Sequence, residues 1–144
     1  MGITSAVCNS FKQEILEAEH NFTASTGNTF NLALYDSSAD LSKTTTAYTT
    51  SEELATTGGY TAKGNALTSV TPVLDSDTAV CDFSNTSWTS ASFTARGCLI
   101  FNDSHSSDAS VCAIDFGGDK TVTSGTFTVE FPAAAASTAI IQIA

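Results

Sequence analysis

The sequence predicts a mainly β protein, an antiparallel β-sandwich or jelly-roll-like domain with one N-terminal α-helix. Three observations carry this. Short apolar segments alternate with a period of two, as in Phe127, Val129 and Phe131 against Thr126, Thr128 and Glu130, the pattern of a half-buried strand. The stretches between them are polar or glycine-bearing turns, with no room for the crossover helices that parallel strands need. Charged residues make up only 14% of the chain and serine and threonine replace them, a composition that suits pleated surfaces and loops.

Residues 4–20 read as the single helix. Thr4 or Ser5 caps its start, and Val7, Phe11, Ile15 and Ala18 form an apolar stripe opposite Lys12, Glu14, Glu17 and Glu19. Such a helix either covers a sheet or reaches a neighbouring copy. Residues 29–35 alternate, with Phe30, Leu32 and Leu34 on one side. Residues 41–65 are polar and threonine-rich, interrupted by Tyr48, Leu54 and Tyr60, and read as a surface excursion with a short helix near Ser51 to Leu54. Excursions on a rigid β scaffold usually carry contacts.

Strands follow at 66–74, where Pro72 argues for an edge position, at 78–83 and at 88–95. Trp88 and Phe93 fall on opposite parities, which requires a bulge or two covered faces. Residues 93–131 read as a three-stranded β-meander, its connections at Asn102 to Ser110 and at Gly117-Gly118-Asp119-Lys120. Residues 139–144 close the chain as a last strand. The 144 residues suffice for one domain, 1–144, and no composition break marks a second.

Five basic residues stand against 15 acidic ones, a net charge of −10. Phosphate backbones repel such a surface, so no nucleic-acid partner is expected. No apolar run reaches the length of a membrane span, and Met1-Gly2-Ile3-Thr4 lacks the basic and apolar regions of a secretory signal. Cys8, Cys81, Cys98 and Cys112 contain no Cys-x-x-Cys pair, which argues against zinc, and each lies in an apolar run, which argues for reduced, buried thiols.

Motifs that would carry chemistry are weak. Asp115-Phe116-Gly117 copies the kinase metal-binding triplet without a glycine-rich loop or a His-Arg-Asp element, and reads as a strand end. The loop from Asn102 to Asp108 around His105 reads as a solvated hairpin loop, and His20 as a structural residue at a helix end. There is no Gly-x-Ser-x-Gly, and Glu130 is the one strand glutamate, so no carboxylate pair is evident. The expectation is a protein without enzyme activity, cofactor or metal. Arg96, the sole arginine, stands between Phe93 and Cys98 and needs an acidic partner, either Asp115 in its own fold or a group on a neighbouring subunit.

Four stretches together suggest a family: Ile3-Thr4-Ser5-Ala6-Val7-Cys8-Asn9-Ser10-Phe11-Lys12-Gln13-Glu14; Ala47-Tyr48-Thr49-Thr50 with Gly59-Tyr60-Thr61-Ala62-Lys63-Gly64; Ser92-Phe93-Thr94-Ala95-Arg96-Gly97-Cys98-Leu99-Ile100-Phe101-Asn102; and Asp115-Phe116-Gly117-Gly118-Asp119-Lys120 leading into Gly125-Thr126-Phe127-Thr128-Val129. Taken in that order, the chain resembles small virion structural proteins of tailed bacteriophages. The resemblance implies a virion component, assembled in the bacterial host cytoplasm. It further implies a capsid decoration or cement protein that binds the major capsid protein or another virion protein on the outer capsid surface. A symmetric homo-oligomer is expected, a trimer first, that stabilises the shell by many modest contacts.

Contact candidates are Phe11 and Ile15 on the helix, Tyr48 and Tyr60 on the excursion, and Arg96. The alternative is a tail, adaptor or fibre-associated module that binds another virion protein or host-surface glycans, with Tyr48, Tyr60 and Trp88 stacking on sugar rings.

Overall fold

The longest alternating stretches of the chain pair with each other. In the computed structural model, which describes residues 2–144, β6 (Thr86–Asn102) and β7 (Ser110–Val129) form one long antiparallel hairpin. The remaining elements are β1 (Ala6–Val7), α1 (Asn9–Leu16), β2 (Phe30–Tyr35), β3 (Asn65–Ala66), β4 (Ser69–Asp75), β5 (Thr78–Phe83) and β8 (Ile141–Ile143). They make a sandwich of two antiparallel sheets, one of order β1-β7-β6-β2-β3 and a smaller one of order β4-β5-β8.

The expected meander over 93–131 is corrected to this hairpin. Gly117-Gly118-Asp119-Lys120 does not turn but stays inside β7. Gly117 takes a φ of 80°, and the register slips between Ala95 and Gly97, so the glycine bends the strand instead of ending it. The segment 88–95 belongs to the same long β6. Two further slips between Trp88 and Phe93 restore a common face, and their rings meet edge-on at 6.4 Å.

The helix is shorter than its apolar stripe. Ala6 and Val7 pair with Ala113 and Cys112 on β7, and the backbone remains extended through Cys8. Sheet hydrogen bonds have taken residues that helical periodicity alone would assign to α1. Ser5 caps no helix; its hydroxyl accepts the Asp115 N–H at 2.8 Å. At the other end Ala18 takes a φ of 61° and stops the helix. Ser51 to Leu54 is likewise a turn, with Glu52 at φ 61°, and not a helix.

Around β2 and the adjoining ends of β6 and β7 the large sheet is buried on both faces, whereas the far half of the β6–β7 hairpin leaves one face exposed. Phe30, Leu32, Leu34, Cys98 and Ile100 face the small sheet and α1. Ala33, Tyr35, Leu99 and Phe101 face the other way, against Ile3, Leu41 and Tyr48. Residues 41–65 run over the surface with only Leu41 and Tyr60 buried, and side-chain anchors tie them to the body. Leu41 and Tyr48 close the second face, Tyr60 and Leu54 pack into the first, and the backbone completes the edge of β2, as when the Leu54 N–H donates to the Leu34 carbonyl at 3.0 Å.

Candidate interaction surface

Apart from Leu16 on α1, the large apolar side chains left exposed lie on the small sheet. Leu74 pairs with Ala79 across β4 and β5, and Ala79 pairs with Ile143 across β5 and β8. Cross-strand partners lie side by side on one face, so the three form a row. Two residues along, Cys81 and Ile141 pair on that same face and pack into the core. The core-facing surface of the sheet thus runs past the body and ends in an open row, with Leu74 74% and Ile143 57% exposed. Scattered exposed leucines are ordinary, whereas a contiguous apolar surface marks an interaction site.

Between this row and α1 lies an apolar groove of about 110 Å³. Phe11 and Phe22 form its floor with Cys81 and Ile141, and Ile15 and Pro72 form its walls. Phe11 is buried and Ile15 half-buried, because the helix lays that stripe on the sheet; Leu16 points away and is exposed. His20 fixes the end of the helix. Asn102 Nδ2 donates to its Nδ1 at 3.1 Å, which leaves the Nε2–H to donate to Glu14 Oε2 at 2.8 Å. No carboxylate lines the groove: Asp75, at the end of β4, accepts the Ala136 N–H at 2.7 Å, and Glu14 is taken by His20.

The other contact candidates lie elsewhere and face inward. Tyr60 is 2% exposed; its hydroxyl accepts the Leu34 N–H and donates to Glu53 Oε1 at 2.7 Å. Tyr48 is half-buried, stacked on Phe101 with ring centroids 4.7 Å apart, and donates to Glu53 Oε2. Burial and the adjacent Glu53 carboxylate push the Tyr48 phenol up to about 12. Glu53 Oε1 also accepts the Lys63 N–H at 2.7 Å, so one carboxylate ties three parts of the 41–65 segment together. Trp88, at 4% exposure, is inside as well. These rings are not presented to a partner or a sugar.

Arg96 pairs within its own fold, Nε to Asp115 Oδ1 at 2.8 Å, and the guanidinium holds the Asp115 carboxyl below the usual carboxylate range. Lys63 spans Asp103 and Asp108 at 2.8 and 2.9 Å and lies 5.5 Å from the Tyr48 ring centre. All four cysteines are buried and unpaired; burial pushes Cys81 and Cys112 up to about 12, far from a reactive thiolate. Among the described residues no group of His, Cys, Asp or Glu converges to hold a metal, and no helix is long and apolar enough to cross a membrane.

Of the sequence candidates Phe11 and Ile15 line this groove, Phe11 as a buried core residue, while Leu74, Ile143 and the Glu53 clamp were not among the candidates. One signal was available. Val70, Val73 and Leu74 put apolar side chains on both parities of a strand marked as an edge by Pro72, which one covered face cannot bury. Comparison with family models, with curated proteins and with solved structures finds no significant match for this chain.

Proposed function

We propose that this protein is a structural, non-catalytic component of a tailed-phage particle, a decoration or cement protein that docks on the outer capsid surface through the small sheet and α1. The observation that carries the docking role is the apolar surface from the Leu74–Ala79–Ile143 row into the groove, beside a large sheet whose centre around β2 is covered on both faces. The phage setting comes from the sequence resemblance, with which a two-sheet β domain and a net charge of −10 agree. The partner is the major capsid protein or another virion protein. A homo-oligomer, a trimer first, multiplies a modest contact into a firm one.

The test is the copy number of the protein in purified particles, by quantitative mass spectrometry. Copies on the order of hundreds place it on the head, and roughly a dozen or fewer place it at the tail or connector, the alternative reading. None at all overturns the virion role. Glycan stacking by Tyr48, Tyr60 and Trp88 has no support in the geometry, since Tyr60 and Trp88 are buried and Tyr48 lies under Lys63.

A further inference from the structure

We infer that His20 is a proton-sensitive joint: when its imidazole takes up a second proton, the connection between α1 and β2 is released from Asn102 at the end of β6, while both sheets stay paired.

The side chain of Asn102, fully buried, holds that connection in place. Its Oδ1 accepts the Ser104 N–H at 3.0 Å, which fixes the way round of the amide. Its Nδ2 then donates among three acceptors of the 19–28 segment: the Glu19 carbonyl at 3.3 Å, His20 Nδ1 at 3.1 Å and Asn28 Oδ1 at 3.1 Å. Asn28 Oδ1 also accepts the Asn21 N–H at 2.7 Å, so the amide reaches both ends of the segment. In this arrangement His20 Nδ1 is an acceptor and carries no proton, and the Nε2–H donates to Glu14 Oε2. The His20 side chain has no exposed surface; Phe11, Phe22 and Phe30 pack around it with ring centroids 4.9, 6.4 and 6.2 Å away.

A proton on Nδ1 points at the Asn102 NH2 group. Donor then faces donor where no water reaches, and a buried donor without an acceptor is costly. Turning the Asn102 amide over supplies an acceptor, but it sets Oδ1 against the Glu19 carbonyl and Asn28 Oδ1 and leaves the Ser104 N–H facing an NH2 group. Either way the joint parts. Glu14, from α1, favours the imidazolium through Nε2 alone, so it keeps His20 on the helix while Nδ1 loses β6. His105, from the β6–β7 connection, stacks on His20 at 6.2 Å and bonds Glu19 at 3.3 Å; once both rings are charged they repel. Lys12 is held by Asn9, and Lys63 lies between Asp103 and Asp108. Thr29 stays tied, its N–H on Ser104 Oγ and its carbonyl on the Asp103 N–H, so the loosening is confined to residues 19–28.

Nuclear magnetic resonance on the full-length protein tests this, from about pH 7.5 to about pH 5, across the ordinary histidine range. At the upper end the His20 ring is expected as the Nε2–H tautomer. On acidification the Asn102 side-chain amide and the Asn21 and Ser104 backbone amides are expected to shift with the midpoint of the His20 ring. Amide exchange at residues 20–28 quickens about 10-fold or more relative to β2. His20→Gln removes that midpoint, and His105→Gln keeps it.

A proton on Nδ1 at the upper pH, a His20 ring that does not titrate in this window, or one that titrates with the Asn102 amide unmoved overturns the inference. So does the same midpoint in His20→Gln, or its loss in His105→Gln, which assigns the response to the other ring. If His20→Gln does not fold by circular dichroism, the titration of the native protein decides alone.

Discussion

β2 and β4 are both short strands rich in β-branched or aliphatic residues, yet every residue of β2 is buried and the five central residues of β4 are all exposed. Their composition does not explain the difference. β2 lies inside a five-stranded sheet with the small sheet and α1 on one side and the returning chain around Leu41 and Tyr48 on the other. β4 is the outer strand of a three-stranded sheet, hydrogen-bonded to β5 alone. A strand's apolar side chains show that it wants cover; only the second layer shows whether the same chain supplies it. Where it does not, the side chains stay open, and on the function proposed above another molecule covers them.

The sharpest way to break this comparison is to truncate one side chain in each region. Ile100, fully buried at the centre of the large sheet, is expected to cost about 2–5 kcal/mol when replaced by alanine, because the surrounding layers cannot collapse into the space. Val73→Ala on the exposed face of β4 is expected to stay within about 0.5 kcal/mol. Urea denaturation of both variants decides. Similar losses at the two sites would mean that β4 is as integral to the fold as β2.

The next effect concerns how the large sheet obtains its second cover. Glu53→Ala removes the acceptor shared by Tyr48, Tyr60 and the Lys63 N–H. The buried Tyr60 hydroxyl then loses its acceptor, a loss of about 1–3 kcal/mol. Limited proteolysis is expected to cut first between residues 41 and 65, ahead of any cut in β6 or β7. Cleavage unchanged from the native protein would show that Leu41 and the aromatic stacking hold the segment without the carboxylate.

What could be read from the sequence divides along the same line. Alternation located Phe30 to Leu34, the β5 strand and Phe127 to Val129, because apolar side chains recur there at every second position whether or not the other face is also covered. It misplaced the helix start, since Val7 suits an apolar helical stripe and a strand equally well, and pairing with Cys112 decides between them. Gly117-Gly118-Asp119-Lys120 has the composition of a turn, and whether such a stretch turns or bulges depends on a partner strand that local sequence does not contain.

Helical spacing put Phe11 and Ile15 on one stripe, which the structure lays on the sheet beside the groove. Tyr48 and Tyr60 were read as exposed because their neighbours are polar, although each ring is an inward anchor. Leu74 and Ile143 escaped notice because, in sequence, an uncovered strand looks the same as a core one.

A smaller effect tests the small sheet from within. Asp82 on β5 is 1% exposed; its Oδ1 accepts the Phe83 N–H at 2.8 Å and its Oδ2 has no partner. Burial raises this carboxyl above its ordinary value. The folded state therefore holds the proton more tightly than the unfolded chain. Its contribution is fully present below the unfolded value, ~4, and is lost as pH rises through the raised folded value. Asp82→Asn is expected to gain about 1 kcal/mol over the native protein near neutral pH, with the gap closing as pH falls toward ~4. Thermal melts of both proteins across that window check it. A gap that widens on acidification would reverse the sign and place a counter-charge beside Asp82.

The smallest effect on stability falls where the proposed effect on binding is largest. Leu74 is 74% exposed and stands in the open row with Ala79 and Ile143, so replacing it with aspartate removes little packing and strands no buried polar group. Its stability is expected to change by no more than about 0.5 kcal/mol. A strand that held its leucine for the fold would not tolerate that exchange. If urea midpoints of Leu74→Asp and the native protein coincide while the variant loses its place on the particle, the leucine serves the contact and not the sandwich. If the midpoint falls by as much as that of Ile100→Ala, β4 is structural after all, and the difference between the two sheets is one of geometry without consequence for docking.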